Sequence, residues 1–195
     1  MNNKILKIAV IGLMASLAYI AFTFLQIKIP TPGGFTSFHL GNTFCVLAAL
    51  LLGGIPGGVA GAIGMGVGDL LDPAYVIVAP KTIVLKLLIG IVTGFVAHRI
   101  MHITQKNGRE LYKAVIISVF AGMLFNIIGE PILSYFYTAF ILGAPDKAAK
   151  ALASWNAITT TVNAILTIIV SSSLYIAITP RLKNNGILKQ LSPNK

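Results

Sequence analysis

Long runs of apolar residues, separated by short polar or glycine- and proline-rich stretches, make up most of this chain. A helix needs about 20 apolar residues to cross the hydrocarbon core of a bilayer. The pattern predicts six membrane-spanning helices, at about residues 5–26, 38–52, 59–71, 75–101, 114–142 and 148–178. We therefore expect an all-α integral membrane protein, with residues 1–195 forming a single six-helix domain.

Glycine and proline mark the predicted boundaries between these helices. The stretch Lys28–Gly34 predicts a loop after the first span, and Gly53–Gly58 predicts a tight turn between the second and third. Pro131 predicts an interruption of the fifth span. The polar segment His102–Lys113 predicts another loop, and the residues after Ile178 predict a polar tail.

The N-terminus has two lysines, Lys4 and Lys7, ahead of an apolar run from Ile8 to Leu25. This run is longer than the 7–15 apolar residues typical of a cleaved signal peptide. We therefore expect it to be retained as the first helix.

The basic residues predict which way the helices cross. With six spans both termini lie on one side, and ten basic residues fall on that side against three on the other. Those of the first group are Lys4, Lys7, Arg99, Lys106, Arg109, Lys113, Arg181, Lys183, Lys189 and Lys195, and those of the second are Lys28, Lys147 and Lys150. Because cytoplasmic loops carry the excess of lysine and arginine, the N- and C-termini are both expected in the cytoplasm.

The overall composition agrees with a membrane protein. Of the 195 residues, 56% are hydrophobic and 10% charged, and the mean hydropathy is +0.86. A soluble domain carries about a quarter charged residues. The net charge of +10 lies in short loops and tails, so no nucleic-acid partner is expected. Cys45 is the only cysteine, which excludes an internal disulfide, and we expect it to be a small core residue.

Polar side chains gather at one depth. An ionisable group inside a span costs about 2.5–3.5 kcal/mol on insertion scales, so each needs a partner or a function. Five of the six predicted spans place such groups, or an aromatic ring, in the half of the bilayer opposite the termini; these residues are His39, Asn42, Asp69, Asp72, Lys81, Glu130, Trp155 and Asn156. The other half is almost entirely aliphatic or small. This pattern predicts a pocket open to the outside rather than a continuous pore.

Helical spacing refines the pocket. Asn126 and Glu130 are four residues apart and share a helix face, and Asn156 and Asn163 belong to a second polar stripe. Lys81 and Lys86 are five apart, about 140° around the helix, so they are not expected to face one ligand. Structural explanations stay open at this stage: lysine–carboxylate ion pairs, an interfacial histidine or tryptophan, and interhelical hydrogen bonds.

Small residues recur four apart in the second and third predicted spans, as in Gly54/Gly58 and Gly64/Gly68. This spacing lets helix backbones approach closely in lipid. It predicts packing within the chain, with a partner-binding surface as the alternative.

Four segments make the chain resemble a known family, the S components of energy-coupling factor (ECF) vitamin transporters. These segments are Phe38-His39-Leu40-Gly41-Asn42-Thr43, Leu51–Gly58, Gly61–Leu71, and Pro80-Lys81-Thr82 with Lys86, Gly90 and Gly94. The resemblance implies a six-helix protein that binds a vitamin on the extracellular side. It also implies docking on a module of one membrane subunit and two ATPases.

The resemblance further implies roles for particular residues. The first outer loop, Pro30–Thr36, would cover the site, and the substrate would be bound by Lys81, Asn126, Glu130, Trp155, Asn156 and Asn163. His39 joins these predicted substrate-binding residues because of its depth at the outer end of the second span. Small residues in the first helix would contact the module; here these are Gly12 and Ser16, with Ala15 alongside, instead of the family's usual pair of alanines. Where the family commonly has an acidic residue after His-Leu-Gly, this chain has Asn42.

The residue types suggest a class of ligand. An aromatic platform (Trp155, with Tyr75 or Tyr135), several amides and both signs of charge suit a small heteroaromatic vitamin. The first choice is hydroxymethylpyrimidine or pyridoxine. The second is pantothenate, whose carboxylate could bind Lys81. No metal or cofactor is expected, because two of the three histidines, His98 and His102, fall at the cytoplasmic end.

Two other functions compete. An enzyme acting on lipid would need a base or nucleophile with a partner, and no motif joins His39, Asp69 and Glu130. A channel or self-sufficient carrier commonly shows two related halves, and the sequence has no internal repeat. No enzymatic activity is therefore expected. No Gly-x-x-x-x-Gly-Lys-[Ser/Thr] motif is present, so energy for transport would have to come from ATPase partners.

Overall fold

The computed structural model describes residues 3–193. Lys195, assigned above to the cytoplasmic side, lies outside the described residues. Within the described range the chain forms a helical bundle and one β-hairpin. In chain order the elements are α1 (Asn3–Thr23), β1 (Ile27–Thr31), β2 (Gly34–Phe38), α2 (Gly41–Leu52), α3 (Gly54–Leu70), α4 (Ala79–Phe95), α5 (Gly108–Phe136), α6 (Asp146–Asn184) and α7 (Ile187–Leu191). A 3₁₀ turn (Val76–Val78) precedes α4, and wider π-type turns extend α4 to Ile100 and α5 to Ile141.

Four helical stretches of the described residues are long and apolar enough to cross a membrane: Asn3–Thr23, Val76–Ile100, Gly108–Ile141 and Asp146–Asn184. Their outward faces carry large apolar side chains, as lipid-facing helices do. The shorter α2 lies at the centre of the bundle, where eleven of its twelve residues are buried. Cys45 on α2 is fully buried, as expected for a core residue.

The turn between α2 and α3 is shorter than the glycine-rich sequence suggests. Only Gly53 turns the chain, with φ = +97°, and α3 already begins at Gly54. The prediction of a turn through Gly58 is wrong, because Pro56 lies in the first turn of α3, where a missing N–H leaves no helical bond unmade.

Pro131 does not interrupt α5, which continues through it to Phe136. A proline removes one intrahelical hydrogen bond, and in an apolar bundle the remaining bonds are enough to keep the helix. The helices also extend into regions expected to be loops. The fifth begins at Gly108, the sixth ends at Asn184, and the tail forms α7 with Leu188 and Leu191 buried.

Residues 27–38 form an antiparallel hairpin, not an irregular loop. Ile27 pairs with Phe38 and Thr31 with Gly34, so Pro32 and Gly33 make the turn. Proline–glycine marks a turn, but it is not one of the dipeptides typical of a two-residue hairpin loop, so the sequence alone does not separate a hairpin from a loop. Gly33 also packs against α6, where an added Cβ would lie 2.9 Å from the Cβ of Leu152.

Hydrogen bonds bring both ends of the chain together at the end of the bundle opposite the hairpin. The Lys7 ammonium donates to the Ser192 carbonyl at 3.1 Å. The Lys183 ammonium donates to the carbonyl of Lys106 at 2.9 Å and to Asn107 Oδ1 at 2.6 Å. One end of the molecule is therefore basic and contains both Lys7 and Ser192, and the other carries the hairpin.

Glycines allow α3 and α4 to touch backbone to backbone. A Cβ added at Gly90 would overlap the backbone of Gly58, and one added at Gly94 would overlap Gly54. The recurring small residues of these helices thus pack within the chain, which is the first of the two interpretations offered by the sequence.

We expect Gly90→Ala to lower the free energy of unfolding by about 1–3 kcal/mol, because the added methyl group forces two backbones apart. The change would be measured as a lower melting temperature in detergent. Gly12→Ala is the matched control: a Cβ there meets nothing within 4 Å, and alanine favours a helix over glycine by up to about 1 kcal/mol. Equal melting temperatures for the two variants would contradict the proposed close contact.

Candidate ligand-binding site

A cavity of about 70 Å³ lies beneath the hairpin, enclosed by side chains from β2 and from helices α1 to α6. Its wall is rich in polar groups, although the surrounding bundle is apolar. Six of the seven residues predicted to bind substrate meet there: His39, Lys81, Asn126, Glu130, Asn156 and Asn163. These residues come from four separate segments of the chain. The sequence predicted only that they lie at a common depth, and the fold brings them together around one cavity.

Trp155 is the exception. It does not line the cavity, and it is 41% exposed on the outside of α6. Successive residues of a helix point about 100° apart, so Trp155 turns outward where Asn156 turns inward. The expectation of a Trp155 platform is therefore not met. Tyr135 also lies outside, with its hydroxyl donating to Asp146 Oδ1 at 2.9 Å.

The aromatic part of the cavity wall comes from Phe22, Phe35 and Tyr75. Only Tyr75 was named from the sequence. Phe22 lies in an apolar span with no signal to separate it from core residues, and Phe35 could be placed only once the hairpin was known. Asn42 and Asp69, named for their depth but not as ligand contacts, line the cavity as well.

Lys81 and Glu130 form an ion pair across the cavity wall, joining the first turn of α4 to α5. Both side chains are largely buried. Lys86 lines the same cavity, although the helical spacing predicted that the two lysines would not face one ligand. The cavity runs from the 3₁₀ turn at Val78 along α4 to Lys86, and the four-carbon stem of a lysine can span the remaining angle.

Several polar groups around the cavity have no partner among residues 3–193. The Lys86 ammonium makes no ion pair or hydrogen bond there. The same holds for Asp69 Oδ2, Asn42 Oδ1 and Asn126 Oδ1. A buried polar group left unpaired costs about 1–3 kcal/mol. Unsatisfied groups of both kinds, donor and acceptor, around one cavity indicate a place for a polar ligand.

The hairpin closes the cavity through hydrogen bonds to α6. The backbone N–H of His39 donates to Asn163 Oδ1, and Asn163 Nδ2 donates to the Ser37 carbonyl, each at 3.0 Å. The hydroxyls of Thr36 and Thr159 bond at 2.7 Å. Phe35, Thr36 and Ser37 form the cover itself, slightly further along the chain than the predicted Pro30–Thr36.

A second attachment ties the hairpin to the loop after α3. The Lys28 ammonium lies 2.5 Å from Asp72 Oδ2 and 5.5 Å from the centre of the Tyr75 ring, whose hydroxyl donates to the Thr36 carbonyl at 3.1 Å. Partial burial raises the pKa of Asp72, but hydrogen bonds from Lys28 and the Ala74 N–H outweigh it and hold that pKa below its ordinary value. The attachment is therefore present at neutral pH and is lost as the pH falls through this lowered pKa.

A bundle of long apolar helices around a covered polar cavity defines a membrane protein that binds a small solute. The chain belongs to the ECF-type riboflavin transporter S component family, whose model matches residues 2–180. It is thus an all-α, multi-pass membrane protein and the vitamin-binding subunit of a transporter, not an enzyme.

Two solved structures share the fold. ThiT from Listeria monocytogenes has a TM-score of 0.63 at 15% identity, covering 98% of this chain and 100% of that one. The S component of a bacterial ECF transporter has a TM-score of 0.51 at 21% identity, covering 88% of this chain and 96% of that one. At these identities the likeness shows the fold alone. No curated protein matches the chain.

We expect Asp72→Asn to loosen the hairpin. An exposed ion pair contributes about 0.2–1 kcal/mol, so amide hydrogen exchange across Ile27–Phe38 should become about 1.5 to 5 times faster by mass spectrometry. Asp146→Asn is the matched control, since its partners, Lys150 and Tyr135, lie outside the hairpin. Unchanged exchange in Asp72→Asn, or an equal change in both variants, would rule out the attachment.

Proposed function

We propose that this chain captures a small vitamin or vitamin precursor from outside the cell and delivers it inward with the ATP-driven ECF module. The observation that supports this most is the polar cavity, closed by a hairpin at the end of the bundle away from the basic termini. Its binding residues would be His39, Lys81, Asn126, Glu130, Asn156 and Asn163.

We infer a single domain over residues 1–195 that crosses the membrane six times, with both termini in the cytoplasm. The hydrogen bonds of Lys7 and Lys183, which gather basic segments at one end, support this orientation. At 1.5 Å per residue, α2 and α3 are roughly 18 and 26 Å long, shorter than the bilayer core of about 30 Å. Because α2 is enclosed by the other helices, its ends are covered by protein rather than by lipid.

The chemistry of the cavity favours a small heteroaromatic ligand. Its wall offers amides, hydroxyls, both signs of charge and the rings of Phe22, Phe35 and Tyr75. Hydroxymethylpyrimidine or pyridoxine, each a single ring with hydrogen-bonding substituents, suits these groups. Pantothenate remains second, because its carboxylate would compete with Glu130 for Lys81.

The hairpin would act as the lid. Its hydrogen bonds to Asn163 and Thr159 engage the same helix, α6, that supplies Asn156 to the cavity wall. A ligand that contacts α6 and the hairpin together would favour the closed arrangement. Capture therefore needs no movement of the helices.

The module would dock on the outer face of α1. There Gly12, Ala15 and Ser16 line an apolar groove of about 550 Å³ between α1 and α3. The Ser16 hydroxyl is satisfied by the Gly12 carbonyl at 2.9 Å, so the groove presents no unpaired polar group from this residue. An apolar groove floored by small residues suits the close approach of a membrane helix from the coupling subunit.

Transport in proteoliposomes tests this proposal. With the ECF module and ATP, vesicles containing the wild-type chain should accumulate a labelled vitamin, and without the module they should not. Gly12→Leu should reduce this uptake at least fivefold without weakening vitamin binding, because it fills the groove, which lies apart from the cavity, and a Cβ at position 12 meets nothing within 4 Å.

Thr161→Leu, which enlarges an exposed side chain on α6, is the control and should transport normally. Uptake that proceeds equally without the module would favour a self-sufficient carrier instead. Normal uptake by Gly12→Leu would show that docking occurs elsewhere.

A further inference from the structure

Four charged side chains surround the cavity, two acidic and two basic. Only Lys81 and Glu130 pair with each other. Asp69 and Lys86 remain, one of each sign, and neither forms an ion pair with any described residue. The cavity as a whole is balanced in charge, but two of its charged side chains have no ion-pair partner among the described residues.

Both of these side chains are deeply buried, Asp69 with 2% of its surface exposed and Lys86 with 5%. They come from different helices, Asp69 from the end of α3 and Lys86 from the middle of α4. A buried charge without an ion-pair partner is strongly unfavourable. A ligand group of the opposite sign offsets this cost for the side chain that it contacts. Since the two have opposite signs, a ligand of single charge satisfies one and leaves the other.

We propose that the ligand is a zwitterion on a single ring, a 3-hydroxypyridine of the pyridoxine type. This rests on the proposed function and narrows its substrate class. The cationic ring N–H donates to Asp69, and the anionic ring oxygen accepts from Lys86.

The chemistry of such a ring matches these two groups. In water near neutral pH the phenolic proton of a 3-hydroxypyridine moves to the ring nitrogen, which leaves a phenolate oxygen and a protonated nitrogen and keeps the net charge at zero. A carboxylate is a common partner for a protonated pyridine nitrogen in proteins. Hydroxymethylpyrimidine has no phenolate, and pantothenate has no cationic nitrogen.

The other unsatisfied atoms fit the substituents of this ring. Asn42 Oδ1 and Asn126 Oδ1 are acceptors without partners among the described residues, and hydroxymethyl groups can donate to them. His39 is fixed, since its Nδ1 accepts from the Gly41 N–H at 3.2 Å and its ring packs edge-on to Phe22. His39 therefore lines the cavity and does not form an ion pair with the ligand.

Calorimetric titration of the purified wild-type chain with a panel of compounds tests the inference without any variant. Pyridoxine should bind at least tenfold more tightly than hydroxymethylpyrimidine, pantothenate or riboflavin. Blocking the phenolate in 3-O-methylpyridoxine, or the N–H donor in N-methylpyridoxinium, should each weaken binding at least tenfold. If another member of the panel binds as tightly as pyridoxine, the zwitterion inference is overturned and the proposed transport function stands.

Two variants assign the charges. Lys86→Met and Asp69→Asn should each weaken pyridoxine binding at least tenfold while changing hydroxymethylpyrimidine binding by less than threefold. Lys147→Met, which removes an exposed lysine near the hairpin end, should change neither. Equal losses for both ligands would overturn the charge assignment, and failure of the wild type to bind any compound of the panel would overturn the proposed substrate class together with it.

Discussion

The pairing of Lys81 with Glu130 is the interaction on which the polar cavity depends. Charges buried in an apolar bundle surrounded by lipid must be paired or must serve a ligand. This pair holds the start of α4 against α5 and creates a polar wall inside an otherwise apolar bundle. Once that wall exists, the amides and the remaining charges gather around it, and the hairpin is needed to cover it.

The two ends of the molecule are stabilised by different interactions. Below the cavity, glycines bring α2, α3 and α4 into contact and leave little free space, so this part behaves as a rigid block. Above it, the hairpin is held by a few hydrogen bonds and one partly exposed ion pair. Local opening at low free energy is expected of such a segment, whereas opening of the packed helices is not. Binding can therefore be gated at the outer end without disturbing the face that we propose for docking.

Hydropathy and charge predicted the helical membrane fold and the depth of the polar groups, because both follow from the cost of burying charge in lipid. The depth of a residue in the membrane did not predict the direction in which its side chain points. Trp155 shares the depth of Asn156 but points outward, and Lys86 reaches a cavity that an ideal helical wheel assigns elsewhere. The hairpin was missed because Pro32 and Gly33 indicate a turn equally well in a loop or between strands. The turn predicted over Gly53–Gly58 was too long for a related reason, since most glycines there allow helices to pack closely rather than turning the chain.

The most direct measurement is vitamin binding by the double variant Lys81→Met/Glu130→Met, compared with its own thermal stability. Replacing a buried ion pair by apolar side chains of similar size is often neutral or stabilising, so the variant should melt at or above the wild-type temperature. If the pair belongs to the binding site, that folded variant will bind at least tenfold more weakly than the wild type. Wild-type affinity in the folded double variant would show that the pair only joins two helices, and the cavity would lose its assignment as the vitamin site.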